Sequence, residues 1–122
     1  MGVDLKLLPL DGDCDTITYS HVVLPLDRCY PLWVKIKTLP SEPIPDNTTT
    51  YVGRVPDGSA EGEYGYGVTV ETPYGNRIQL VRAKDLLKLA DHFGVAQSWK
   101  NSAAWAYLAA APPKLRVGLY WH

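Results

Sequence analysis

The sequence predicts an α+β fold, with an antiparallel or mixed sheet of about four to five strands and two to three helices. Segments in which apolar and polar residues alternate lie at both ends of the chain and near its middle, as in strands that bury one face. Helical patterns lie between them without regular β-α-β alternation, which argues against a parallel sheet. A length of 122 residues with 46% apolar and 20% charged residues indicates a single domain over residues 1–122.

The first two strands are predicted to form a hairpin. In residues 3–10, apolar side chains at positions 3, 5 and 7 alternate with Asp4 and Lys6, which is the pattern of a half-buried strand. Residues 16–24 are rich in β-branched and aromatic side chains and predict the second strand. Between them stands "DGDCD", and Asp-Gly is a favoured hairpin turn.

A short helix follows. Asp27 is suited to cap it, and Pro31 is tolerated in the first turn, where backbone amides have no intrahelical acceptor. Its apolar positions at near-helical spacing are Leu32, Trp33, Ile36 and Leu39. Pro40 ends it. Residues 40–62 are rich in Pro, Thr and Gly and predict a long loop, of the kind that is usually functional or mobile.

The stretch "YGYGVTVETPYGNRIQLV" predicts a second hairpin that turns at "PYGN". The next helix is predicted from the apolar spacing of Leu86, Leu87, Ala90 and Phe93, and Gly94 is placed to end it. A last helix covers roughly residues 101–110, where "NSAAWAYLAAA" carries no charge. The closing "KLRVGLYWH" alternates apolar and polar residues and predicts a strand that needs a partner.

Charge and cysteine usage restrict the function classes. The net charge of -1 supplies no general attraction to nucleic acid or anionic lipid, so a nucleic-acid partner is disfavoured. Cys14 and Cys29 are too few for a disulfide framework and are expected to be reduced thiols. The N-terminus lacks a signal-peptide pattern, and no long apolar run suggests a membrane span. We therefore expect a cytoplasmic protein without membrane contact.

No pattern of metal ligands or catalytic residues is complete. Asp11, Asp13 and Asp15 have calcium-loop spacing, but the glycine and the final glutamate of such a loop are missing, so a structural turn is preferred. No metal and no cofactor are expected, and the enzyme question is left open, leaning towards a non-catalytic protein. The alternative is a small enzyme or a nucleotide- or small-ligand-binding protein. Its candidate residues, around a sheet edge, are His21, Glu71, Tyr74 and Arg77.

Two groups of residues are candidates for binding a partner protein. The run "DGSAEGEYGYG" is acidic and carries tyrosines, which suits a basic partner or a self-contact; its candidates are Glu61, Glu63, Tyr64 and Tyr66. The last helix offers almost no polar face, so it is buried on nearly all sides, or another chain covers it, in which case a homodimer is one outcome. The alternative is a helix laid flat on the sheet with its alanines modestly exposed. Its candidates, with those of the last strand, are Trp99, Trp105, Tyr120 and Trp121.

The opening "MGVDLKLLPLDGD", the middle "ETPYGNRIQLVRAKDL" and the close "AAWAYLAAAPPKLRVGLYWH" resemble a group of short proteins encoded by tailed bacteriophages and prophages. The resemblance covers most of the chain outside the Pro/Thr-rich loop. It implies the context of a small phage accessory protein in the host cytoplasm. Such proteins often bind and inhibit a host protein, including components of bacterial defence. The resemblance transfers no site residues.

Overall fold

The computed structural model describes residues 3–10, 12–14, 17–19, 22–46, 48–49, 54–56, 64–66 and 70–122. The strands in this part are β1 (Leu5–Pro9), β2 (Gly12–Cys14), β3 (Ile17–Tyr19), β4 (Leu24–Pro25), β5 (Glu42–Pro43), β6 (Thr48–Thr49), β7 (Arg54–Pro56), β8 (Tyr64–Tyr66), β9 (Gln79–Arg82) and β10 (Arg116–Trp121). The helices in this part are α1 (Tyr30–Lys37), α2 (Ala83–Leu87), α3 (Phe93–Ala96) and α4 (Trp99–Ala110). The predicted α+β class is confirmed.

The main sheet has five strands in the order β4-β1-β10-β9-β5, and all of its pairings are antiparallel. The C-terminal strand β10 lies at the centre and pairs with the N-terminal strand β1, so that Leu7 is opposite Leu119. The two ends of the chain are therefore neighbours in the sheet. Two smaller sheets consist of β2-β3-β6 and β7-β8.

Both faces of the main sheet are buried. Val117 and Leu119 of β10 belong to a core cluster that also contains apolar residues of the helices. Tyr120 belongs to a second cluster with Leu8 of β1 and Ile44. Because neighbouring side chains along a strand point to opposite faces, the nearly continuous burial of β1 and β10 follows from a sheet that is covered on both sides.

The predicted N-terminal hairpin is wrong in its details. Residues Gly12–Cys14 of the expected turn form β2, which pairs antiparallel with β3 and places Asp13 opposite Thr18. The partner of β1 on this side is β4 instead. Pairing with a neighbouring strand supplies several backbone hydrogen bonds and outweighs the local turn preference of Asp-Gly. Asp11 and Asp15 lie outside the described residues.

The helix predicted before and around Phe93 is two shorter helices, α2 and α3, so the described chain has four helices rather than two to three. Gly94 lies inside α3 instead of ending a helix. The Gly94 amide donates to Nδ1 of His92 at 2.9 Å, and His92 is thereby the N-cap of α3. A Cβ added at Gly94 would lie 2.7 Å from Sγ of Cys29, so glycine permits the close approach of α3 to the start of α1.

The other predicted elements are close to their observed positions. α1 has Pro31 in its first turn and buries Trp33 and Ile36, although Cys29 rather than Asp27 is its N-cap residue. The turn at "PYGN" is confirmed, with the positive φ of 82° at a glycine. The predicted pairing of the strands on either side of this turn differs from the observed one. β8, which precedes the turn, pairs with β7 and not with β9, which follows the turn. Within residues 40–62, the described parts include β5, β6 and β7.

Candidate functional site

An apolar groove of about 270 Å³ lies between α4 and β4, the outer strand at one edge of the main sheet. We call it the α4–β4 groove. Its lining consists of Leu24, Pro25, Trp99, Lys100, Ala103, Ala104 and Tyr107. Six of these seven side chains are aliphatic or aromatic, so the groove is suited to apolar groups of a partner.

A buried asparagine holds α4 in place beside this groove. Asn101 is fully buried and its Nδ2 donates to the carbonyl oxygens of Gly94 at 2.8 Å and of Asp27 at 3.2 Å. Its Oδ1 accepts from the amide of Asp27 at 2.7 Å. Ser98 caps the helix by accepting from the Asn101 amide at 3.3 Å. These bonds fix the first turn of α4, and with it one wall of the groove.

The scarcity of charge in α4, whose one charged residue is Lys100, is explained by its two faces. Ala104, Trp105 and Leu108 belong to the core cluster on the helical side of the sheet. The other face begins with the exposed Trp99 and Lys100, and after them the small side chains of Ala103 and Ala106 are exposed. The helix is therefore buried on one side and presents alanines to solvent on the other, which leaves its backbone open to close approach.

Trp99 is the most exposed of the large apolar side chains in the described part of the chain, with 77% of its surface accessible. It stands in the first turn of α4 and lines the groove. A large exposed ring next to an apolar groove is typical of a surface that another molecule covers. Among the predicted binding residues whose side chains the structure describes, Trp99 is the one with both features.

The edge strand beside the groove is protected against strand addition. Lys6 and Leu7 of β1 pair with Pro25 and Leu24, and the Leu26 amide donates to Leu5 O at 3.1 Å. Proline has no backbone N–H to offer at the free edge of β4, and proline at an edge blocks pairing with a further strand. This edge is therefore open to contact through side chains and closed to an added strand.

Lys100 is the charged side chain in the lining. Its Nζ lies 3.9 Å from a carboxylate oxygen of Asp27, and both side chains are about half exposed. An ion pair of this length and exposure contributes little to stability. Lys100 can therefore turn to an acidic group of a partner at small cost.

The other predicted binding residues do not join Trp99 in one surface. Trp105 is 3% exposed and its Nε1 donates to Leu86 O at 2.9 Å, so its ring is a core element and not a surface for a partner. Tyr120 is 7% exposed and stacks on His122. Trp121 packs edge-to-face on Trp33 with centroids 6.0 Å apart, and it lines a different cavity.

The acidic group of candidates is only partly described. Tyr64 and Tyr66 lie in β8, which pairs with β7. Glu61 and Glu63 lie outside the described residues, and so does His21 of the alternative enzyme site. The binding role of this group stays a prediction.

The remaining candidates of the alternative reading lie around one turn. The backbones of Glu71 and Arg77 form an isolated antiparallel β-bridge across this turn, and the side chain of Tyr74 is about half exposed within it. The guanidinium of Arg77 donates to Ile44 O from Nε at 2.9 Å and from Nη2 at 2.7 Å. Tyr74 and Arg77 line the second cavity of the molecule, the one that also contains Trp121.

Within the described ranges, no group of three or more His, Cys, Asp or Glu side chains is arranged to hold a metal ion. Cys29 is a free, buried cysteine. In the same part of the chain, the helices are all too short or too polar to cross a membrane. No protein-family model matches the sequence, and no curated protein or solved structure is significantly similar to it.

The sequence alone missed the α4–β4 groove as a unit. Trp99 was a candidate because interfaces favour tryptophan, but Leu24 and Pro25 come from a distant strand. The signal in the sequence that points to the pairing of α4 with the β4 segment is Asn101, a polar residue in the charge-free stretch of this helix. A buried polar side chain in such a helix indicates a bond to another segment, here the chain at Asp27 that follows β4.

Proposed function

We propose that this chain is a non-catalytic accessory protein that binds a partner protein through the α4–β4 groove. The observation that carries the proposal is the exposed Trp99 at an otherwise apolar groove. The resemblance of the chain to small phage and prophage proteins adds the context. In that context the partner is a host protein in the bacterial cytoplasm, such as a defence component, and binding inhibits it.

Burial of Trp99 supplies a clear driving force. Covering a large apolar side chain stabilises a complex by roughly 1.5–3 kcal/mol. Tryptophan is enriched among the few residues that dominate the binding free energy of protein interfaces, particularly where surrounding contacts exclude water. The alanines of α4 next to Trp99 let a partner approach closely enough to exclude water from the ring.

The groove fits an amphipathic helix of the partner that carries aliphatic side chains and a carboxylate. Pro25 at the edge of β4 disfavours an added strand, and the small side chains Ala103 and Ala104 suit the packing of one helix on another. The carboxylate is expected to lie near Lys100, the charged residue of the lining. A helix laid into a hydrophobic groove is a common mode of peptide recognition.

Two alanines on α4 provide a matched test. Ala103 and Ala109 are both exposed, but Ala103 lines the groove and Ala109 does not. We expect Ala103→Glu to reduce binding at least tenfold, because it places a charge in the apolar contact, and Ala109→Glu to bind as the wild type does. Trp99→Ala should reduce binding to a similar extent as Ala103→Glu.

The assay has two parts. Wild-type and variant proteins are used to capture partners from bacterial lysate, and the captured proteins are quantified by mass spectrometry. Each partner whose capture is reduced by Ala103→Glu is then purified and cross-linked to α4. A partner that loses affinity only with the groove variants and cross-links through an acidic amphipathic helix supports the proposal. Equal capture by Ala103→Glu and Ala109→Glu contradicts it. If light scattering shows a homodimer that Ala103→Glu dissociates, the occupant of the groove is a second copy of this chain and not a host protein.

A further inference from the structure

A second cavity, of about 450 Å³, lies where β10 ends and β9 begins, beside the last residue of α1. We call it the Lys37–Arg77 cleft. Its lining includes Lys37, Thr72, Tyr74, Arg77 and Trp121. Its size falls within the range of pockets that bind small molecules.

The charge in the cleft is positive. Lys37 and Arg77 are its charged lining residues, and no acidic side chain of the described ranges lines it. Arg77 is also ion-paired with Asp46, an exposed residue outside the lining. Among the described residues, no carboxylate forms an ion pair with Lys37, and its Nζ lies 5.0 Å from the centroid of the Trp121 ring. The cleft therefore offers a cation above an aromatic ring to an incoming anion.

Thr72 is a buried polar residue in the same wall. It is 6% exposed, and its hydroxyl has no hydrogen-bond partner within the part of the chain that the structure describes. Both backbone polar groups of Thr72 are hydrogen-bonded, since its amide donates to Asn76 O at 2.7 Å and its carbonyl accepts from the Gly75 amide at 2.9 Å. Buried hydroxyls are normally hydrogen-bonded, so the Thr72 hydroxyl points to a ligand or water in this cavity.

The walls are already held in position. The two bonds of Arg77 to Ile44 O fix its guanidinium, while Nη1 donates to none of the described residues. The ring of Trp121 rests on Trp33, whose Nε1 donates to Val3 O at 3.0 Å. A preformed site loses less conformational freedom on binding, which favours affinity.

We propose that the Lys37–Arg77 cleft binds a small organic anion with a planar ring. The anionic group lies between Lys37 and Arg77, the ring contacts Trp121 or Tyr74, and a polar atom of the ligand pairs with the Thr72 hydroxyl. Arginine and lysine both bind phosphate and carboxylate, and aromatic side chains stack on planar rings. A nucleoside monophosphate and an aromatic carboxylate share this chemistry. The inference does not depend on the α4–β4 groove.

The test measures binding by calorimetry to the full chain. The probes are the four ribonucleoside monophosphates, adenosine, inorganic phosphate and indole-3-acetate. We expect at least one ring-bearing anion to bind at one site with a sub-millimolar Kd, and adenosine and phosphate to bind at least tenfold more weakly. Tighter binding of a monophosphate identifies phosphate as the anion, and tighter binding of indole-3-acetate identifies carboxylate.

The variants distinguish the cleft from general surface charge. Lys37→Gln is expected to weaken binding at least tenfold, whereas Lys35→Gln, an exposed lysine of the same helix outside the lining, leaves it unchanged. Thr72→Val keeps the shape of the side chain without the hydroxyl and is expected to weaken binding severalfold. Circular dichroism confirms the fold of each variant. The proposal is overturned if no ring-bearing anion binds with a Kd below 1 mM, or if the two lysine variants lose affinity equally.

Discussion

Replacing Asn101 by alanine tests the account of how α4 is held. Asn101 is fully buried and makes three hydrogen bonds, two to the backbone of Asp27 and one to the carbonyl of Gly94. A hydrogen bond of this kind contributes about 1 kcal/mol net. The three bonds together predict a loss of about 3 kcal/mol in the free energy of unfolding, since alanine leaves these backbone groups without a side-chain partner.

The size of the chain converts this loss into a melting temperature. The entropy of unfolding is about 2.1 cal/mol/K per residue, or roughly 0.26 kcal/mol/K for 122 residues. A loss of 3 kcal/mol therefore lowers Tm by about 12 °C. Calorimetry measures the shift, and urea titration measures the free energy independently.

Ser102→Ala is the matched control for Asn101→Ala. It changes the next residue of the same helix and removes one bond, from Ser102 Oγ to Val95 O at 2.9 Å, at an exposed position. We expect it to cost no more than about 1 kcal/mol. The reasoning is refuted if Asn101→Ala costs less than about 1 kcal/mol, or if the two variants lower Tm equally.

Three further changes test the packing and the ionisation of the fold. Gly94→Ala, which brings a Cβ within 2.7 Å of Cys29 Sγ, should destabilise the protein by about 1–3 kcal/mol in urea unfolding. Trp105→Phe removes the bond to Leu86 O and should cost about 1–2 kcal/mol by the same measurement. Burial, aided by the charge of a nearby lysine, lowers the pKa of His122 below its ordinary value of 6.5. The unfolded chain then binds more protons than the folded one, so stability decreases as the pH falls through 6.5, and thermal melts of His122→Gln should show a flatter pH dependence.

Elements with a strong local pattern were predictable from the sequence. The alternation in the last strand and in residues 3–10 correctly indicated two strands, and the uncharged alanine-rich segment correctly indicated α4. Their signals are local because side-chain spacing reflects the geometry of one element. Their pairing with each other was not predicted, since it depends on contacts between opposite ends of the chain.

The errors in the prediction arose where distant contacts decide local structure. Asp13 sits in an Asp-Gly sequence typical of turns, yet it lies in β2 because β3 provides a pairing partner. Phe93 was assigned to a buried helix face but is 57% exposed. A new helix, α3, begins at Phe93 with His92 as its N-cap, and it packs Gly94 close to Cys29 while Phe93 is exposed. Neither contact is visible in the spacing of apolar residues.

The two candidate sites differ in how far the sequence could reveal them. Tyr74 and Arg77 are close in sequence and were grouped in the alternative reading, but Lys37 and Trp121 reach the cleft only through α1 and β10. Trp99 was named as a binding residue, whereas the groove beside it requires β4. Tryptophan and arginine are candidates for binding because of their residue type, but only the fold determines which of them line a cavity.

The two sites can serve separate ligands because they share no lining residue and are held by separate contacts. Asn101 fixes α4 at the groove, and Arg77 fixes the turn at the cleft through Ile44 O. Changes at sites without shared partners usually have additive effects on free energy. Ala103→Glu should therefore leave anion binding intact, and Lys37→Gln should leave partner binding intact. A variant that abolished both activities would instead act through the common sheet, and its melting temperature would fall with them.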